Sequence, residues 1–197
     1  NKVRGWAQVL AEETDAEARA THLDRIEAIL EEWESMTEGM RRIRRLTTSP
    51  EVDRPAIEVQ SVTEHLTAWT GEVDFSLDVD STVPDDSTVW IPGTLEEALE
   101  TLITTAVTRA TDPDPAITVS LSDTTDRWVE AEVVITGSGL TETDMEVLTT
   151  GEETALTHAQ GLDIWVVRTM IRTVGGEITA QATDTGTRVT FRVPVQH

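Results

Sequence analysis

Residues 137–176 read GSGLTETDMEVLTTGEETALTHAQGLDIWVVRTMIRTVGG, and their types and order suit the holding of a nucleotide. A G-x-G turn at Gly137 and Gly139 leads into a polar loop, Gly161 opens an apolar helix, and Gly175-Gly176 stops it. Glycine lets a backbone approach a ligand closely, and a helix start favours phosphate through its unpaired N–H groups. Alone, the G-x-G is weak evidence, because strand-ending turns often contain two glycines. A second candidate group lies on LEEALETLITTAVTRATD, which carries Thr101, Thr105 and Arg109. Taken alone, that segment is an amphipathic core helix. No Ser/His/Asp arrangement, P-loop or metal-spaced Cys/His cluster competes with these two stretches.

The elements that must position them follow from hydrophobic spacing. Residues 1–13 carry Val3, Trp6, Ala7 and Leu10, an i, i+3, i+4, i+7 stripe that predicts one helical face. After a turn around Thr14, Asp15 and Ala16, residues 17–47 place Leu23, Ile26, Leu30, Trp33, Met36, Met40, Ile43 and Leu46 three or four apart. That spacing is heptad-like and longer than a typical globular helix. A stripe of this length needs the preceding helix and a second copy of itself to bury it. Arg41, Arg42, Arg44 and Arg45 crowd the end of this helix, where cations suit the dipole, and read as a solvated helix end. The segment 47–55, TTSPEVDRP, is a linker by its proline punctuation.

Beyond the linker the pattern predicts a strand at 56–59, a helix at 61–69 and strands at 73–79 and 88–91. Pro92-Gly93-Thr94 caps a helix that runs to about Arg109, with Glu96 and Glu97 in its first turn. Strands at 117–121 and 128–135 precede the G-x-G turn and its polar loop. A helix at 162–173 and strands at 177–182 and 187–193, joined by a turn at 183–186, complete the chain. Strands in consecutive pairs imply antiparallel pairing, hence an α+β fold with a helix-backed mixed sheet and not a doubly wound one.

Composition narrows the setting. The 15 basic and 37 acidic residues leave a net charge of −22, Lys2 is the single lysine, and threonine is abundant. Such a surface suits concentrated salt, where the Debye length falls to roughly 3 Å at 1 M and carboxylate repulsion is screened. The duller alternative is a mesophile with an acidic surface. Nucleic acid is a poor partner for this charge, since phosphate contacts need a basic patch. No apolar run approaches the length that spans a membrane, so no membrane contact is expected within this chain, and the salt-suited surface points to a cytoplasmic setting. The absence of cysteine excludes a disulfide framework and thiol chemistry.

The order and spacing of these segments resemble the G1, F and G2 boxes of sensor histidine kinases, members of the GHKL ATPase superfamily. The string GEET, then His158, then GLDIWVV is most similar to the haloarchaeal branch. The resemblance covers nearly the whole chain. It implies a dimerisation and histidine-phosphotransfer-like helical hairpin at 1–48, followed at 56–197 by a Bergerat-type ATP-binding α/β sandwich. Asn1 fits the last residue of an H-E-x-R-N box, which puts the phosphoacceptor His upstream of Asn1 and leaves no catalytic residue within the chain. His22 stands in the wrong place for that role and reads as a solvated histidine near a helix start.

By resemblance the N box, L-E-N-L-x-x-N-A-V-x-H, falls on Leu99 to Arg109, with its two Asn positions at Thr101 and Thr105. Thr105 stands where an amide oxygen reaches Mg²⁺, which makes it a weak metal ligand, and Arg109 stands where a basic residue approaches phosphate. The G1 box D-x-G-x-G falls on Ile135 to Gly139, so Ile135 replaces the Asp that accepts from the adenine amino group. The G2 box G-x-G-L-G-L falls on Ala159 to Ile164, where Gly161 and Leu162 match and Asp163 puts a carboxylate at the phosphates. His158, just before it, is a loop or lid residue.

ATP and Mg²⁺ are therefore the implied cofactors, and a homodimer and a response regulator the implied partners. The substitutions favour a degenerate kinase serving as a dimeric signalling scaffold. The alternative is an active enzyme that passes the ATP γ-phosphoryl group to a histidine and then to a regulator's aspartate. A serine kinase of the anti-sigma type is a more distant relative, and residues 1–47 speak against it.

Overall fold

Strict alternation of apolar and polar residues builds the central sheet. In the computed structural model the described residues are 2–12, 15–48, 55–71, 75–84, 88–112, 114–125, 127–151 and 162–196. The chain divides into two compact units, residues 1–42 and 43–197.

The first unit holds helix α1 (Lys2–Glu12) and most of α2 (Ala16–Thr48). Asp15 caps α2: its Oδ1 accepts the N–H groups of Glu17 and Ala18 at 3.0 Å each. The Trp6 ring is packed 5.4 Å from the His22 ring, with the Arg25 guanidinium 4.7 Å from its centroid. His22 is thus half-buried against α1 and not a solvated residue, because i, i+3 spacing on α2 puts His22 and Arg25 on one face. Leu23, Leu30, Trp33 and Met40, spaced seven, three and seven apart, remain 43–62% exposed.

The second unit is the predicted α+β fold. Strands β1 (Ala56–Glu58) and β3 (Trp90–Pro92) form a separate antiparallel pair, with Ile57 opposite Ile91. Between them lie helix α3 (Val59–Trp69) and strand β2 (Ser76–Ser81). Helix α4 (Thr94–Arg109) follows, then strands β4 (Ala116–Thr125) and β5 (Trp128–Thr136). Helices α5 (Glu142–Thr150) and α6 (Leu162–Thr173) and strands β6 (Glu177–Thr183) and β7 (Gly186–Pro194) complete the fold. The five-stranded sheet has the order β2-β4-β5-β7-β6. Only β2–β4 is parallel, which makes the sheet mixed.

Every second residue of β5 and β7 is buried, from Val129 to Ile135 and from Thr187 to Val193. Their apolar side chains join Val59, Val62 and Leu66 of α3, Leu99 and Leu102 of α4, and Val167 and Met170 of α6 in one core. The opposite sheet face stays wet and carries cross-strand ion pairs, Arg188 with Glu132 and Arg192 with Glu177.

Helix α5 replaces part of the expected polar loop. Thr141 and Asp144 form its capping box: the Asp144 N–H donates to Thr141 Oγ1 at 3.2 Å, and the Thr141 N–H to Asp144 Oδ2 at 2.9 Å. The cap of α4 falls within the expected Pro92-Gly93-Thr94: Gly93 is its N-cap, and no side chain bonds there.

Candidate functional site

Helix α4 supplies one wall. Thr101, Thr105 and Arg109 are spaced four apart and therefore share a face of it. Thr101 Oγ1 donates back to the Glu97 carbonyl at 2.7 Å, and Thr105 is only 6% exposed. One residue on, Ala106 meets the end of β5. A Cβ on Gly139 would stand 2.9 Å from the Ala106 carbonyl oxygen and 3.0 Å from Ile135 Cγ2. Gly139 is therefore required by the closeness of α4 to the turn, and Ile135, 1% exposed, fills the space beside it. Thr136 faces the other way: its hydroxyl donates to the Ala116 carbonyl at 2.9 Å and accepts the Ala116 N–H at 3.0 Å.

Gly137 has φ 81°, the left-handed region that glycine enters freely. Its N–H donates to the Thr185 carbonyl at 2.9 Å, tying the turn to the β6–β7 hairpin. The loop after α4 reaches the same turn. Asp112 Oδ2 accepts the Ser138 N–H at 3.2 Å, and Thr111 Oγ1 lies 2.6 Å from Ser138 Oγ.

Two arginines hold α5 in place. Arg109 Nη1 donates to Asp144 Oδ1 at 2.7 Å, while Asp144 Oδ2 accepts from the Thr141 hydroxyl at 2.8 Å. At the other end, Arg168 of α6 donates to the carbonyls of Leu148, Thr149 and Thr150 in the last turn of α5. Burial, and then the neighbouring Arg172, lower the Arg168 pKa from its ordinary value. The resulting guanidinium clamp fixes the C-terminus of α5, where a cation also complements the dipole.

Of the residues singled out in sequence, the structure brings Thr101, Thr105, Arg109, Ile135, Gly137 and Gly139 to α4 and the adjoining turn. Leu162 and Asp163 open α6, which packs on α4, and both are half-buried. His158 and Gly161 lie outside the described residues. Sequence reasoning missed Thr111, Asp112, Asp144 and Arg168. A signal existed for Asp144, because T-x-x-D is a capping pattern. Among the described residues there is no cluster of three metal-ligating side chains, and no helix long and apolar enough to cross a membrane.

Comparison with known proteins gives the fold a family. No curated protein sequence matches the chain. The catalytic domain of histidine kinase ThkA, nucleotide free, is 17% identical with a TM-score of 0.55, covering 73% of this chain and 96% of that one. Full-length ShkA in complex with AMPPNP is 18% identical with a TM-score of 0.62, over 98% of this chain and 42% of that one. The Acinetobacter baumannii histidine kinase AdeS is 16% identical with a TM-score of 0.56, over 98% and 92%. A family model for the histidine kinase-, DNA gyrase B- and HSP90-like ATPases matches residues 91–197, more than half of the sequence, and the chain belongs to that family.

Proposed function

We infer that the chain is a histidine-kinase signalling core with an altered nucleotide site, binding Mg-ATP weakly and working as a dimeric docking scaffold. Ile135 carries this reading. It is an apolar, 1% exposed side chain where the family's acceptor for the adenine amino group belongs. Thr105 and Asp163 support it. A single hydroxyl is a poor substitute for an amide oxygen toward Mg²⁺, which demands near-ideal octahedral oxygens. A carboxylate in the first turn of α6 suits the helix dipole but repels a triphosphate. The residues present do not fit Mg-ATP, so no phosphoryl-transfer step is assigned to them.

In this reading residues 1–48 are the dimerisation and phosphotransfer-like hairpin, and residues 56–197 the ATPase-like domain. The exposed seam of Leu23, Leu30, Trp33 and Met40 supports pairing with a second copy. The net charge of −22 with one lysine supports a haloarchaeal, salt-rich cytoplasm, and a response regulator is the partner class that the family suggests. Light scattering in concentrated KCl tests the scaffold. The expected result is a dimer at micromolar concentration that a Leu23→Glu, Leu30→Glu variant dissociates; a monomer throughout contradicts it.

A further inference from the structure

The N–H groups of Gly137 and Ser138 and the Ser138 hydroxyl already have partners within the chain. The Gly137 N–H donates to the Thr185 carbonyl, and the Ser138 N–H donates to Asp112 Oδ2. The Ser138 hydroxyl is paired with Thr111 Oγ1 and accepts the Thr111 N–H at 3.3 Å. Asp112 Oδ2 also occupies the space where a Cβ on Gly137 would lie. The close approach that a glycine offers a ligand is used here by a side chain of the same molecule.

We propose that Asp112 is a built-in competitor for this turn, a carboxylate that must leave before a nucleotide seats against Gly137 and Ser138. The inference rests on the nucleotide-site reading above and names a regulatory contact within that site. Asp112 comes from the loop after α4 and is no part of the apolar core. It adds a negative charge beside a site meant for a polyanion, as Asp163 does on α6. Asp112 is exposed, so its bond to Ser138 is modest and the barrier it sets is correspondingly small.

The test is calorimetric titration with Mg-ATP in concentrated KCl. It uses the unaltered chain and an Ile135→Asp, Thr105→Asn, Asp163→Gly background, each with and without Asp112→Ala. In the background, Asp112→Ala is expected to tighten binding about three- to tenfold. Asp112→Asn, which keeps an acceptor for Ser138 but loses the charge, should tighten it less. Thr111→Val, which leaves the carboxylate in place, should change it little. Should the alanine variant fail to fold by its melting curve, the asparagine variant carries the comparison. Equal affinity with and without Asp112 overturns the inference alone, and weaker affinity overturns it by making Asp112 a ligand group. No binding by the background in any form overturns the nucleotide-site reading and this inference with it.

Discussion

Arg109 and Asp144, 35 residues apart in sequence, are joined by a 2.7 Å charge-assisted hydrogen bond that links the end of α4 to the start of α5. The pair is largely shielded, with side-chain exposures of 27% for Arg109 and 8% for Asp144. Asp144 spends its other oxygen on Thr141, so one carboxylate serves both the cap and the tie between helices. Arg109→Met should therefore lower stability by about 2 kcal/mol, the scale of a lost hydrogen bond to a charged partner. Urea unfolding at fixed KCl measures this, and an unchanged midpoint would show that the pair holds nothing.

Gly139 tests the packing of the turn on α4. An added methyl at 139 would stand 2.9 Å from a backbone oxygen of α4 and 3.0 Å from Ile135. Neither is the free end of a flexible chain, so Gly139→Ala is expected to destabilise by about 1–3 kcal/mol through overpacking. A thermal melt matching that of the unaltered chain would mean that α4 and β5 are not this close.

Glu96 predicts a pH dependence. Burial, opposed by His65 and reinforced by Glu100, raises its pKa from its ordinary value. The folded state then binds the proton more tightly than the unfolded chain does. Its contribution is full below the ordinary carboxylate pKa and is lost as pH rises through the raised one. Glu96→Gln should stabilise the protein at pH 7, with the gain shrinking toward pH 4. His65 is bonded to Glu100 nearby, so the comparison is between variants at each pH. A constant difference across that range would contradict the assignment.

The sequence revealed most of the frame. Alternation marked β4, β5, β6 and β7, and three-to-four spacing marked α2, α4 and α6, because these elements bury one clean face. Helix α5 escaped because TETDMEVLTT is mostly polar, and its core contribution is confined to Val147, Leu148 and the capping Asp144. Short β3 was legible as a strand but not as a partner of β1 in a sheet of its own, since register depends on chain path. Within the site, Thr105 and Ile135 could be located by their place in a pattern. The bond of Asp112 to Ser138 and that of Asp144 to Arg109 could not: they act across 26 and 35 residues, between groups that no local spacing connects, although the T-x-x-D cap of Asp144 was itself legible.

Salt dependence follows from the charge. At 0.01 M salt the Debye length is about 30 Å, and a net −22 repels itself across the whole molecule. The melting midpoint followed by circular dichroism should rise strongly between low and molar KCl. A flat profile would reject the salt-rich setting.

The proposal that the nucleotide site is altered is tested most directly by calorimetric titration of the unaltered chain with Mg-ATP in concentrated KCl. Three losses of about 1.5 kcal/mol each, at Ile135, Thr105 and Asp163, would together weaken binding roughly a thousandfold or more. Neighbouring positions rarely add cleanly, so direction and scale are the expectation. No micromolar binding by the unaltered chain is expected, with recovery in the Ile135→Asp, Thr105→Asn, Asp163→Gly variant. Micromolar binding by the unaltered chain would mean that other residues have taken over these roles, and the scaffold reading would fall.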